Sequence, residues 1–157
     1  MVLFRAAVWA SIFIAFFLVF LPARVLSGSG IVGPGAMGLA QVTGMLLAAA
    51  GAAISLWCIF TFALIGKGTP APFDPPRKLV MSGPYRFVRN PMYLGAGFLL
   101  AGAALFYAST GLLLYTALFL AACHLMVIGY EEPALRKTFG GDYAAYCEQV
   151  RRWIPRF

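Results

Sequence analysis

From Met37 to Ile65 the chain carries no charged side chain. At 1.5 Å rise per residue, a helix over this run is longer than a hydrocarbon core of about 30 Å. Inside such a core every backbone polar group must be bonded within the protein, so a helical span is the expected unit of the fold. Three further runs repeat the pattern: one between Arg5 and Arg24, one from Pro91 to about Ala108, and one from about Leu112 to Tyr130. The composition agrees, with 62% hydrophobic and only 11% charged residues. That is an integral membrane composition, not that of a soluble domain. The expected fold is all-α, a single domain over residues 1–157. It is an integral membrane bundle of four transmembrane helices, with spans near 6–23, 37–65, 91–108 and 112–130. A loop over 66–90 and a helical tail over 131–157 complete it.

The first run also resembles a signal peptide, with a basic start and small residues near Ser27-Gly28. Its apolar stretch exceeds a usual signal core, so a retained span is expected. Gly28-Ser29-Gly30-Ile31-Val32-Gly33 matches a dinucleotide-binding glycine pattern, but no strand precedes it and no acidic residue follows at the ribose distance. It reads as a loop. In the second run Ala40, Gly44, Ala48 and Ala52 fall four apart, a ridge that lets another helix approach closely.

The net charge is +7. The basic residues flank the apolar runs and form no stripe, so membrane topology explains them and a nucleic-acid partner is not expected. Arg5, Lys67, Arg77, Lys78, Arg86, Arg89 and the basic residues of the tail fall on one side of a four-span bundle, with Arg24 alone on the other. The positive-inside bias then puts both termini, the main loop and the tail in the cytoplasm. The short chain suits a bacterial inner membrane. Cys58, Cys123 and Cys147 lack metal-ligand spacing, and His124 is the one histidine, so no metal is expected.

The main loop holds a stiff proline-rich stretch, Thr69 to Pro76, and then Gly83-Pro84-Tyr85-Arg86-Phe87-Val88-Arg89-Asn90-Pro91-Met92-Tyr93. Pro91 suits the first turn of a helix, where its missing N–H costs little. The tail opens with Glu131-Glu132-Pro133. Gly140-Gly141 breaks its first helix, and in the next Tyr143, Tyr146, Cys147 and Val150 share a face. The short Ser109-Thr110-Gly111 connection makes the last two spans antiparallel neighbours. Glu131 and Glu132 therefore face Tyr85, Arg86, Arg89, Asn90 and Tyr93 across one mouth, with His124 two turns deeper. Polar groups at such a depth mark a candidate site. A carboxylate among aromatic faces suits a cation, and arginines with an amide suit a carboxylate or polar head group. A structural ion-pair cluster fits the same residues.

These two segments carry a resemblance. Leu79 through Gly95 resembles the first signature of the isoprenylcysteine carboxyl methyltransferase family and its phospholipid methyltransferase relatives. Glu131-Glu132-Pro133 with Leu135, Phe139-Gly140, Tyr143, Tyr146, Val150 and Arg152-Trp153-Ile154-Pro155 resembles the second. The resemblance implies methyl transfer from S-adenosylmethionine to a lipophilic acceptor entering from the bilayer. Carried over residue by residue, it implies cofactor contacts at Arg77, Lys78, Leu79, Val80, Tyr85, Asn90, Pro91, Met92, Tyr93 and Glu131. Glu132, His124 and Arg89 are the candidates for catalytic roles, the first two as proton acceptors. Asn90 stands where many members have histidine, so it can hydrogen-bond but cannot titrate. Val127 stands where prenylcysteine enzymes carry a substrate-holding arginine, and Glu-Glu-Pro resembles the phospholipid side. Two other readings share these residues: an NADPH-dependent membrane reductase of the sterol-reductase type, and a non-catalytic membrane protein.

Overall fold

A computed structural model describes residues 8, 11–31, 33–34, 36–66 and 78–156. The beginning of the first apolar run, the proline-rich stretch, Lys67 and Arg77 lie outside the described residues. The described chain is helical, with no strand. Helix α1 covers Ser11–Gly28 and α2 covers Leu39–Thr61. A π turn over Phe62–Gly66 ends α2. A 3₁₀ turn at Gly83–Arg86 leads into α3, Pro91–Phe106. Helix α4, Thr110–Met126, passes through a π turn at Val127–Glu131 into α5, Glu132–Gln149.

Three helical stretches are long and apolar enough to cross a membrane: α1, α2 and the continuous α4–α5 rod. Helix α3 is apolar but shorter, at 16 residues. It stops at Phe106 because Ala108 turns left-handed, with φ 49°. The amides of Ala108 and Ser109 then return to the carbonyls of Leu105 and Ala104, a Schellman closure. Ser109 accepts from the Leu112 amide at 3.2 Å and caps α4. This hairpin makes α3 and α4 antiparallel neighbours.

Helices α2 and α3 touch through glycine. A Cβ at Gly44 would sit 2.6 Å from the Gly102 carbonyl oxygen, and one at Gly51 would sit 2.5 Å from that of Gly95. The pairs 44 with 102 and 51 with 95 run in opposite directions along two helices, each with a spacing of seven. Backbones this close exchange dispersion contacts that bulkier side chains would prevent. The small ridge of α2 is thus a packing surface, with Gly51 taking the place of Ala52.

Helix α1 is wound as a π helix over Ile14–Phe20. The cause is Pro22, which has no N–H to return to the preceding turn. In π register its partner would be the Phe17 carbonyl. The Tyr115 hydroxyl of α4 donates to that carbonyl instead, at 2.8 Å. Phe13 and Phe17 pack beside it against Ala96, Leu100 and Phe119, which joins α1, α3 and α4 in one core.

The tail turns at Gly140, whose φ of 52° and ψ of −120° suit glycine alone. The kink lays Tyr143, Tyr146 and Val150 over Leu79, Leu135 and Phe139. Substituting Gly51 or Gly102 by Ala should destabilise the protein in detergent by about 1–3 kcal/mol, the usual cost of overpacking. Gly129→Ala, where an added Cβ meets nothing within 4 Å, is the control and should leave the unfolding midpoint unchanged.

Candidate active site

Four pieces of chain meet at one end of the bundle: the 3₁₀ turn and Arg89-Asn90, the first turn of α3, the π turn with the start of α5, and the strap Arg151–Arg156. Buried Tyr85 anchors the 3₁₀ turn by packing on Cys58 and Val80, with Met92 alongside. Its carbonyl accepts from the Tyr146 hydroxyl at 2.6 Å, which ties the loop to α5.

The two glutamates are adjacent in sequence but face different partners. Pro133 lacks the amide that would continue a regular α-helical ladder, and the Glu132 amide returns five residues to Val127. The extra residue in the turn lets both side chains face the protein. Glu131 accepts a hydrogen bond from the Tyr93 hydroxyl of α3. Glu132 is buried and bidentate to Arg152, at 2.7 Å from Nε and 2.9 Å from Nη2. Arg89 lies 3.4 Å from the same carboxylate and also donates to Cys147 Sγ. Among the described residues no cation pairs with Glu131.

Their electrostatics diverge accordingly. Burial pushes the Glu131 carboxyl up; the Tyr93 hydroxyl opposes this and the Glu132 charge adds to it. Burial also works against the Glu132 anion, but the Arg152 hydrogen bonds and the charges of Arg89, Arg152 and Arg136 outweigh it and hold its pKa below the ordinary 4.5.

The strap completes the cluster. The Arg89 amide donates to the Arg151 carbonyl at 2.9 Å. Asn90 Nδ2 donates to the Arg152 carbonyl at 3.3 Å, and among the described residues no donor reaches its Oδ1. Trp153 Nε1 donates to His124 Nδ1 at 3.0 Å. In that bond His124 accepts through Nδ1.

The structure therefore brings Asn90, Tyr93, Glu131, Glu132, Arg89 and His124 to one end, around the strap. Leu79 and Val80 are packed into small cores, Pro91 is buried at the start of α3, and Lys78 is exposed. Sequence reasoning assigned no role to the Arg152 and Trp153 side chains. Their signal was a cation and an indole just after an apolar helix face, which reads equally well as interfacial anchoring.

A phospholipid methyltransferase family model matches residues 39–142. The chain belongs to that family. The match begins at α2 and ends inside α5, so it contains Asn90, Tyr93, Glu131 and Glu132 but neither α1 nor the strap. No curated protein matches the chain significantly. Membership implies methyl-transfer activity in an integral membrane protein with a lipid as substrate. Among the described residues, no group of three or more His, Cys, Asp and Glu side chains converges as a metal site would require.

The Glu132 pKa is depressed on folding, so its contribution to stability is complete above 4.5 and is lost as pH falls through the lower folded value. Proteolysis of the strap in detergent should therefore speed up only below about pH 4.5, the ordinary carboxylate range. Glu132→Gln should make the strap susceptible at neutral pH and abolish the acid step. An unchanged acid step in that variant would assign it to another group.

Proposed function

We propose that the protein transfers a methyl group from S-adenosylmethionine to a lipophilic acceptor drawn from the bilayer. The supporting observation is the contrast between the two glutamates. Glu132 has two arginines, whereas Glu131 is partly buried with a tyrosine hydroxyl and no cation among the described residues. A carboxylate in that setting is completed by a cationic ligand.

S-adenosylmethionine carries an α-ammonium and a sulfonium, so the donor set fits it. Glu131 and Tyr93 would hold the ammonium, and Asn90 Oδ1 would accept a hydrogen bond from the cofactor's polar groups. Tyr93 and Tyr85 supply aromatic faces suited to a cation. When bound, the cofactor supplies an electrophilic methyl carbon, and the protein's task is alignment and exclusion of water. Arg89 is assigned a positioning role, because its Nη1 faces both Glu132 and Cys147. Glu132 is a poor proton acceptor, since its arginines favour the anion. His124 has its lone pair occupied by Trp153.

The proposal includes topology. Helix α3, about 24 Å long at 1.5 Å per residue, crosses most of the hydrocarbon, giving a single domain of four spans with both termini and the site in the cytoplasm. Arg77, outside the described residues, is assigned to the cofactor on the strength of the family resemblance alone.

Titration of the protein in nanodiscs with S-adenosylmethionine tests this reading. Saturable binding is expected, weakened about tenfold or more by Glu131→Gln, since a charge-assisted hydrogen bond contributes about 1.5–3 kcal/mol. Saturable binding of NADPH instead would move the protein to the reductases. Binding of neither by a folded sample would leave the cluster as architecture.

A further inference from the structure

The strap does more than close the polar end. Asn90 and Glu132 hold Arg152 on the cytoplasmic side of the Tyr93–Glu131 pair. One residue later, Trp153 bonds to His124, which precedes Glu131 by seven residues and so lies roughly 10 Å deeper along the helix. The strap thus crosses the level of the Tyr93–Glu131 pair from above to below. Its deeper part lies against the apolar length of α4. Leu125, the residue after His124, is 64% exposed, and Ile154, next to Trp153, is 67% exposed. Side chains of that character at that depth face acyl chains.

The attachments are unequal. Val150 ends α5 in extended conformation and is buried with Tyr143 and Tyr146, so the strap leaves from a fixed point. Beyond it the polar latch to Glu132 and Asn90 holds the upper half. The indole–imidazole hydrogen bond holds Trp153 itself, and beyond the segment Arg156 donates to the Glu148 carbonyl at 3.1 Å. If Trp153 and Ile154 swing away from α4 they remain in an apolar medium, so opening forfeits little apolar burial.

We propose that the segment Arg152–Ile154 is a bilayer-facing side gate of the Tyr93–Glu131 site, with Trp153 as its leaf, His124 as its catch and Glu132–Arg152 as its hinge latch. Its occupant when open is the acyl chain of a phospholipid, argued from the exposed aliphatic side chains beside it and its position within the spanning length of α4. The proposal rests on the methyl-transfer reading only for what lies behind the gate.

The test uses the full chain with Trp9→Phe and Trp57→Phe, which leaves Trp153 as the one indole. It is placed in nanodiscs of phosphatidylcholine labelled with a nitroxide near the top of the acyl chain. Trp153 emission should be quenched by the nitroxide lipid and shielded from aqueous iodide. His124→Ala and Glu132→Gln should each increase quenching as the leaf swings outward. Quenching by iodide but not by the nitroxide would overturn the proposal, because the strap would face water. Lipid quenching that neither variant changes would also overturn it, because the strap would be a fixed anchor. A phosphatidylcholine with a photoreactive acyl chain gives a check on the unmodified protein. Crosslinks at Trp153 or Ile154 are expected, and their absence would count against the gate. Binding of S-adenosylmethionine is measured alongside. Its failure with the quenching pattern intact would sink the methyl-transfer reading and leave the gate in place over another site.

Discussion

The distance between α2 and α3 governs everything at the polar end of the bundle. That distance is set by two glycines on each helix, Gly44 and Gly51 facing Gly102 and Gly95. In lipid there is no gain from hiding apolar surface between helices, so association depends on close contact. Tyr93 stands two residues before Gly95, and Tyr85 packs beside Cys58 of α2. Both ends of the Gly83–Tyr93 segment are therefore referenced to the same glycine seam. A wider seam would move Tyr93 away from Glu131 without touching either residue.

A second constraint separates two identical charges. Two adjacent carboxylates at a membrane mouth repel each other and each costs desolvation. The π turn before Pro133 resolves this by giving each a different environment. Glu132 goes to Arg152 and Arg89 and stabilises the tail, while Glu131 goes to Tyr93. One glutamate thus serves architecture, and its neighbour pairs with a tyrosine hydroxyl and no cation among the described residues.

Much of this was legible before any coordinates. The all-helical fold with its long apolar helices, the Ser109 turn, the break at Gly140 and the shared face of Tyr143, Tyr146 and Val150 follow from apolar length, turn chemistry and helical spacing. The proximity of Glu131 to Tyr93 follows from a short hairpin. What stayed hidden depended on through-space pairing. Helical spacing placed Gly44 and Ala48 on a ridge but did not say that Gly95 and Gly102 met it. The π windings of α1 and of the turn before α5 were also invisible, although Pro22 and Pro133 mark them. Each inserts one residue and changes which side chains face inward, a shift that a regular 3.6-residue period cannot carry. The strap's role was masked because Arg152 and Trp153 look like ordinary interfacial anchors.

The bond between Tyr115 and the Phe17 carbonyl has a consequence for how the protein is made. Its two ends lie 98 residues apart. At 5–20 residues per second, synthesis separates them by roughly 5–20 s. During that interval α1 sits in the bilayer with one carbonyl exposed by its own proline and no partner yet translated. Helix α1 thus inserts before the partner that docks it exists. Its insertion depends on its own apolarity, and its final position depends on a tyrosine of α4.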